Sequence, residues 1–121
     1  MPEDSLANLT RRLADFAACR DWDQFHSPKN LSMALIAEAA ELGEHFQWFS
    51  EEQSHDLDEH QRHAVSMELA DILIYLIRTA DKLGIDLIQA ADEKIALNES
   101  RYPVERVRGQ ARRASEYNDD D

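Results

Sequence analysis

The segment that most constrains the fold is an apolar stretch that contains two carboxylates three residues apart. It covers residues 67–77 and contains Glu68 and Asp71. On an α-helix, residues three apart lie on one face, so both carboxylates would point in the same direction. A buried carboxylate is costly unless it is paired or binds a metal, and two like charges on one face also repel each other. The segment therefore predicts a helix whose two acidic side chains share a cation.

A second pair with the same spacing lies earlier in the chain, where Glu38 and Glu41 stand among leucines and alanines. Such pairs also arise by chance among 25 acidic residues, as Asp56 with Glu59 shows, and exposed carboxylates are the norm. Two pairs, each within an apolar helix, favour a shared site over chance. Carboxylate oxygens together with substrate phosphates are typical ligands of Mg²⁺. We therefore expect a Mg²⁺ site where the two pairs meet.

The scarcity of helix breakers determines the predicted fold class. Three glycines and three prolines in 121 residues favour long helices over a turn-rich β fold. Apolar residues recur with a helical period in four segments, and no strand pattern is visible. The fold is therefore predicted to be all-α, a four-helix bundle. The predicted helices cover about residues 6–20, 31–48 and 58–83, followed by a fourth that ends before Tyr102.

Capping residues set the predicted ends of these helices. Ser5, Asn30 and Asp86 are the expected N-caps, and Gly84 is the expected stop of the third helix. Residues 50–60 are polar and acidic, which predicts a solvated loop. The domain is expected to span residues 1–108, and the polar residues 109–121 are expected to form a disordered tail.

The charge of the chain limits its partners and its compartment. A net charge of −12 argues against a nucleic-acid partner, which would require a basic face. No apolar run approaches membrane-spanning length, and charged residues within the first 20 positions are unlike a signal peptide. Cys19 is alone, so no intrachain disulfide is expected, and its helical spacing predicts a small core residue. These features predict a cytoplasmic protein with no membrane partner.

The connection between the first two helices carries two aromatic residues and a histidine, Trp22, Phe25 and His26. One interpretation is a plug for the end of the bundle; the other is a surface on which a nucleobase stacks. Trp48 has the same two interpretations. Tyr75, one turn after Asp71, is either a half-buried tyrosine or a group that contacts whatever the carboxylates hold. The residues alone leave these alternatives open.

A polar stripe on the fourth helix offers a possible contact for phosphates. Lys94, Asn98 and Arg101 lie on one helical face because they are four and three residues apart. A solvated polar face is the commoner explanation for such a stripe. The functional interpretation is that Lys94 and Arg101 stabilise negative charge on a leaving pyrophosphate.

The order and spacing of these motifs resemble the MazG-like all-α nucleoside triphosphate pyrophosphohydrolases, most closely their dCTP pyrophosphatase branch. The likeness spans about residues 6–108. Its segments are Arg20–Leu31 as RDWDQFHSPKNL, Glu38–Leu42 as EAAEL, Phe46–Trp48 as FQW, Glu68–Leu76 as ELADILIYL, and Arg101–Val104 as RYPV. One departure is Leu13, where some dCTP-specific relatives place a histidine on the first helix.

The resemblance implies a site, a reaction and an assembly. It implies that four carboxylates bind Mg²⁺ and serve catalysis, and that a base and sugar pocket is formed by the remaining residues of the matching motifs. The carboxylates are Glu38, Glu41, Glu68 and Asp71; the pocket residues are Trp22, Asp23, Gln24, Phe25, His26, Trp48 and Tyr75. The implied reaction converts a (d)NTP and water to (d)NMP and diphosphate, with dCTP or a modified dCTP as substrate. Glu41 or Glu38 would position or deprotonate the water. The implied assembly is a dimer or tetramer whose helices pack across subunits.

Two other classes of protein share part of this pattern. Carboxylate-bridged di-metal bundles also place acidic side chains inside helices, but their Glu-x-x-His pairs do not occur at Glu38 or Glu68. A non-enzymatic acidic helical adaptor would explain the charge and the apolar third helix. It would not explain two carboxylate pairs within apolar helices, so the enzyme is the favoured hypothesis.

Overall fold

Every regular element of the computed structural model is helical across residues 5–111, which are the residues that the structure describes. The all-α prediction is confirmed. A single 3-10 turn, Asp23–Phe25, follows the first helix. The helices are α1 Leu6–Cys19, α2 Pro28–Glu44, α3 Glu51–His55, α4 Glu59–Leu83, α5 Leu87–Arg101 and α6 Val104–Val107.

The start of α2 differs from the prediction. Ser27, not Asn30, is the N-cap, because its hydroxyl accepts the Asn30 backbone N–H at 3.1 Å. Pro28 then takes the first helical position, where its missing N–H costs nothing. The Asn30 side chain instead donates to the Phe25 carbonyl at 3.0 Å and holds the preceding turn against the helix.

The end of α2 also differs, because the helix stops at Glu44 and the predicted extension to Trp48 is wrong. The backbone N–H groups of His45 and Phe46 donate to carbonyls three residues back, at 3.2 and 3.0 Å. Three-residue steps tighten the backbone into turns and end the α-helical ladder. Trp48 therefore lies in a turn.

Two reciprocal capping motifs form in the segment that was predicted to be a loop. The Ser50 hydroxyl accepts the Gln53 N–H at 3.2 Å, and the Gln53 side chain accepts the Ser50 N–H at 2.8 Å, which starts the short helix α3. Asp58 and Gln61 repeat the arrangement at the start of α4. Each motif satisfies two backbone donors that a helix start leaves free.

The first compact unit ends at Ile85 and is built around α4. Both α1 and α2 pack against α4, and α1 also contacts the 3-10 turn. The buried apolar side chains are Ala17, Leu31, Ile77 and Ala80. Gly84 closes α4 with a φ of 66°, a left-handed conformation that glycine adopts without strain, as predicted. Cys19 is exposed at the end of α1, so its prediction as a core residue is wrong.

The second compact unit begins at Asp86 and contains α5 and α6. The Asp86 carboxylate accepts the Gln89 N–H at 3.1 Å, which confirms the predicted N-cap. Tyr102 ends α5, as predicted, and Pro103 precedes α6. The domain limit at residue 108 stays a prediction, and most of the predicted tail, residues 112–121, lies outside the described part of the chain. Among residues 5–111, none of the helices has the length and apolar character needed to cross a bilayer.

Candidate functional site

The packing of α2 on α4 brings three of the predicted ligands together. Glu38, Glu41 and Glu68 each place a carboxylate oxygen within 4.8 Å of the other two. Asp71 lies outside that trio but close enough for its charge to act on Glu38. We call these four residues the carboxylate cluster. At its edge, His45 Nε2 lies 3.7 Å from Glu68 Oε1.

Four carboxylates stand together in the carboxylate cluster, and their negative charges act on one another. Partial burial raises the pKa of Glu38 to about 7, and its neighbours Glu41, Asp71 and Glu68 act in the same direction. Within residues 5–111, Glu38 Oε2 and Glu68 Oε2 are buried and have no hydrogen-bond partner. Buried polar atoms in native proteins are normally satisfied, so these two oxygens call for a partner beyond residues 5–111, such as a bound cation.

A divalent metal ion fits this arrangement. The trio offers only oxygen ligands, which hard cations prefer. A bound cation would provide a partner for both orphaned oxygens and offset the repulsion that, after burial, adds to the raised pKa of Glu38. The chemistry of the donor set thus agrees with the metal site expected from the sequence.

A cavity of about 240 Å³ lies between α1, the 3-10 turn and α4. Asp71 belongs both to its wall and to the carboxylate cluster, so the cavity adjoins the acidic residues. Aromatic rings from α1, the start of the 3-10 turn and α4 form part of the wall, and Trp22 stands edge-on to Phe16 with 5.7 Å between ring centroids. The lining residues are Leu13, Phe16, Ala17, Trp22, His26, Asp71, Ile74, Tyr75 and Arg78.

The structure separates the predicted pocket residues into two groups. Trp22, His26 and Tyr75 line the cavity. Phe25, 60% exposed, and Trp48, 86% exposed, do not line it. The remaining members of the predicted pocket, Asp23 and Gln24, do not line the cavity and instead contact other protein residues.

Asp23 forms ion pairs with two residues of α4, and Gln24 forms hydrogen bonds within the turn. Asp23 pairs with Lys82 at 2.7 Å and with Arg78 at 2.9 Å, which lowers the pKa of its carboxyl. Gln24 donates to the Asp21 carbonyl and carboxylate at 3.1 and 3.0 Å. Both residues shape the turn that carries Trp22.

The predicted phosphate contacts lie in the second unit. Lys94, Asn98 and Arg101 are all exposed residues of the continuous helix α5, so the helical spacing on which they were predicted is present. Their role toward a substrate stays a prediction.

Sequence reasoning missed several residues of the site, above all Arg78. This residue is buried, with 3% of its surface exposed, and lines the cavity. A signal was available, because Arg78 is a charge between the apolar Ile77 and Ala80. It lies three residues after Tyr75 and seven after Asp71, so it shares their helical face. Leu13, which the resemblance placed near the base, lines the cavity, whereas the cavity residues Phe16 and Ile74 gave no signal beyond ordinary core periodicity.

Comparison with known proteins gives concordant results. The MazG-like family profile matches residues 34–118. The chain is 45% identical over 112 residues to dCTP pyrophosphatase 1 of Mus musculus, covering 91% of this chain and 66% of that protein. It is 40% identical over 117 residues to dCTP pyrophosphatase 1 of Homo sapiens, covering 95% and 69%. The chain thus spans about two thirds of the length of these relatives.

A solved structure shares the fold. The crystal structure of a pyrophosphatase from Archaeoglobus fulgidus superposes with a TM-score of 0.76 at 38% identity. The superposition covers 80% of this chain and 91% of that one.

Proposed function

The chain belongs to the MazG-like family, and on that premise we propose that it is a nucleoside triphosphate pyrophosphohydrolase. The proposed reaction converts a (d)NTP and water to (d)NMP and diphosphate, with dCTP or a modified dCTP as the preferred substrate. The observation that carries the proposal is a charge-unbalanced carboxylate cluster that adjoins an aromatic-walled cavity. The proposed role is removal of unwanted nucleotides from the cytoplasmic pool.

The proposed cofactor is Mg²⁺, held by Glu38, Glu41, Glu68 and Asp71. Bound there, Mg²⁺ supplies positive charge that offsets the triphosphate and polarises its phosphoryl oxygens. The cavity holds the base, because Trp22 and Tyr75 offer aromatic rings to stack against it. Asp71 belongs to both regions, so the reacting phosphates would lie where cavity and cluster meet.

Hydrolysis then needs a positioned water and a proton acceptor. Water oxygen forms a bond to the α-phosphorus, and the bond from that phosphorus to the bridging oxygen breaks. Glu41 or Glu38 orients the water and accepts its proton. The diphosphate leaves with the bridging oxygen, and Lys94 and Arg101 are proposed to stabilise its charge. The route uses no covalent enzyme intermediate.

We propose that the active form is a homo-oligomer, either a dimer or a tetramer. Large apolar side chains on α2 and α4 are exposed in the single chain: Met33, Ile36, Met67, Leu69, Leu73 and Leu76. Leu69, Leu73 and Leu76 share one face of α4, and exposed apolar patches are typical of protein interfaces. Trp48 is 86% exposed and does not line the cavity of its own chain, so its predicted contact with the base would require a second subunit. Sedimentation analysis measures the oligomeric state; a monomer at micromolar concentration would contradict the proposal.

The test of the activity is a panel of canonical and 5-modified (d)NTPs incubated with Mg²⁺, scored for both pyrophosphate and orthophosphate. Release of pyrophosphate with a preference for cytosine nucleotides is the expected result. Pyrophosphate release without a base preference would retain the reaction and reject dCTP as the special substrate. Absence of turnover for every nucleotide would reject the enzyme in favour of a binding protein.

A further inference from the structure

Arg78 occupies an unusual position for a charged residue, because its side chain is 4% exposed and lies beside the cavity. An unpaired buried charge is strongly unfavourable, so the guanidinium must be satisfied by its neighbours. It is also on the helical face that carries Tyr75 and Asp71. A residue in this position can influence the pocket without taking part in the reaction.

The contacts of Arg78 connect α4 to the 3-10 turn. Its Nη2 donates to Asp23 Oδ1 at 2.9 Å, and its Nε donates to His26 Nδ1 at 3.4 Å. Its Nη1 donates to Asp81 Oδ2 at 3.2 Å, within α4 itself. Lys82 adds a second cation to Asp23 at 2.7 Å. We call these five residues the arginine network; its two cations and two carboxylates balance in charge.

The two partners of Arg78 on the turn, Asp23 and His26, lie at the beginning and the end of the segment that follows Trp22. Asp23 follows Trp22 directly, and His26 caps the turn after Phe25. The turn is also tied to α1, since the Trp22 N–H donates to the Ala17 carbonyl at 2.9 Å. If the turn moved away from α4, Arg78 would lose its hydrogen bonds to Asp23 and His26 and keep only the bond to Asp81 within its own helix. The arginine network therefore resists displacement of the turn.

The same contacts fix the proton on His26. Arginine only donates hydrogen bonds, so His26 Nδ1 accepts and the proton of the neutral ring resides on Nε2. Partial burial and the charge of Arg78 lower the pKa of His26, which favours this neutral ring. Since His26 lines the cavity, the polar group that its ring retains for a ligand is an N–H donor.

We propose that Arg78 is a positioning residue of the nucleotide pocket: it ties the turn to α4 through Asp23 and His26, and so fixes Trp22 and the donor tautomer of His26 at the cavity wall. This inference rests on the proposed function for its kinetic consequence. Its structural consequence, the ordering of the turn, can be measured without any substrate.

The first test measures amide hydrogen exchange of the turn residues 22–26 in the full chain. Arg78→Lys removes the planar fork but keeps the charge, and Asp23→Asn removes the acceptor on the turn. Both variants should speed exchange in the turn by about tenfold, because its backbone bonds open more often. Asp81→Asn is the matched control, since it breaks a contact of the same guanidinium that does not involve the turn. Unchanged exchange in Arg78→Lys and Asp23→Asn, or an equal increase in the control, would overturn the proposal.

The second test measures steady-state kinetics with the best nucleotide of the panel. Arg78→Lys and Asp23→Asn should each raise KM about tenfold while kcat changes less than about threefold, since the carboxylate cluster is untouched. The double variant should have nearly the KM of either single variant, because both changes cut one connection. Additive effects, or a loss confined to kcat, would overturn the positioning role. If the wild-type chain hydrolyses no nucleotide, the proposed function fails, and the exchange measurement still decides whether Arg78 orders the turn.

Discussion

Two charged regions of this protein lie on the same face of α4 and solve opposite electrostatic problems. The carboxylate cluster collects like charges, and two of its buried oxygens have no partner among residues 5–111. The arginine network collects opposite charges, and every nitrogen of the Arg78 guanidinium donates to a neighbour. A network that is complete by itself stabilises structure; a cluster that is incomplete without a cation is suited to bind one. The contrast separates the residues proposed for chemistry from those proposed for positioning.

The largest expected effect is a loss of activity when the carboxylate cluster is altered. Glu41→Gln or Asp71→Asn should reduce kcat at least about a hundredfold, because each removes a proposed metal ligand at the reacting phosphates. The helical circular dichroism should stay near that of the wild type, since each change relieves repulsion. Glu44 is an exposed residue of α2, the helix that carries Glu41, and Glu44→Gln is the matched control, which should retain activity. If either cluster variant kept most of its activity, the assignment of the metal site would be wrong.

The second prediction concerns metal and stability. A cation that binds only the folded chain stabilises it by about 2.7 kcal/mol at a hundred times its Kd. Thermal melting should therefore shift upward with Mg²⁺ and return with a chelator. Arg78→Lys should retain the shift, whereas Glu38→Gln should lose most of it. Equal shifts in both variants would remove the distinction between the two regions.

The third prediction concerns the contribution of the arginine network to the stability of the fold. Arg78→Met should lower the free energy of unfolding by about 2 kcal/mol, because charged hydrogen bonds to Asp23 and Asp81 are lost. Asp81→Asn should cost less than about 1 kcal/mol, since the Asp81 side chain is partly exposed. Urea unfolding of the metal-free proteins measures both. A more stable Arg78→Met would show that desolvation of the guanidinium outweighs its contacts.

The smallest expected effect concerns how the stability of the fold depends on pH, for which Glu38 and Asp23 contribute with opposite signs. The pKa of Glu38 is raised from 4.5 to about 7, so the folded chain holds a proton that the unfolded chain has released. That contribution is complete below about pH 4.5 and is lost as the pH rises through about 7. The pKa of Asp23 is lowered by Lys82 and Arg78, so its contribution is present above 3.8 and is lost as the pH falls through the lower folded value.

Melting of the metal-free chain across this pH range measures both signs. Glu38→Gln should remove the loss of stability toward pH 7, and Asp23→Asn should leave that loss in place. A wild-type slope that survives in Glu38→Gln would assign the titration to another group.

Local signals account for most of the predicted elements and for the errors among them. Ser5, Asp86 and Gly84 were identified correctly because capping depends on the residue and its immediate neighbours. Asn30 was wrong because the helix begins three residues earlier: the Ser27 hydroxyl accepts the backbone N–H of Asn30, and Pro28 takes the first helical position. The end of α2 was wrong because apolar periodicity continues to Trp48 after the backbone has changed to three-residue steps.

In the candidate site, too, the features set within one helix were predicted and those set by packing between helices were not. The spacing within each helix placed Glu38 beside Glu41 and Glu68 near Asp71, because helical geometry alone sets those distances. Helical spacing gave no information on which side chains of α1 would face α4, so Phe16 was not recognised as a cavity residue, and Leu13 was noticed only through the family resemblance. Arg78 was not recognised as a site residue because a single charged residue in an apolar helical segment is usually assumed to be exposed to solvent.

The sequence by itself determined the four long helices, three of the predicted caps, the two carboxylate pairs and the family resemblance, since these depend on residues close together in the chain or on their order. Only the tertiary structure decided that three of the carboxylates meet, that Trp22 lines a cavity while Trp48 does not, and that Arg78 joins the turn to α4. The physical reason is distance along the chain. Asp23 and Arg78 are 55 residues apart, and no local preference encodes a contact that exists only when α1, the turn and α4 pack together.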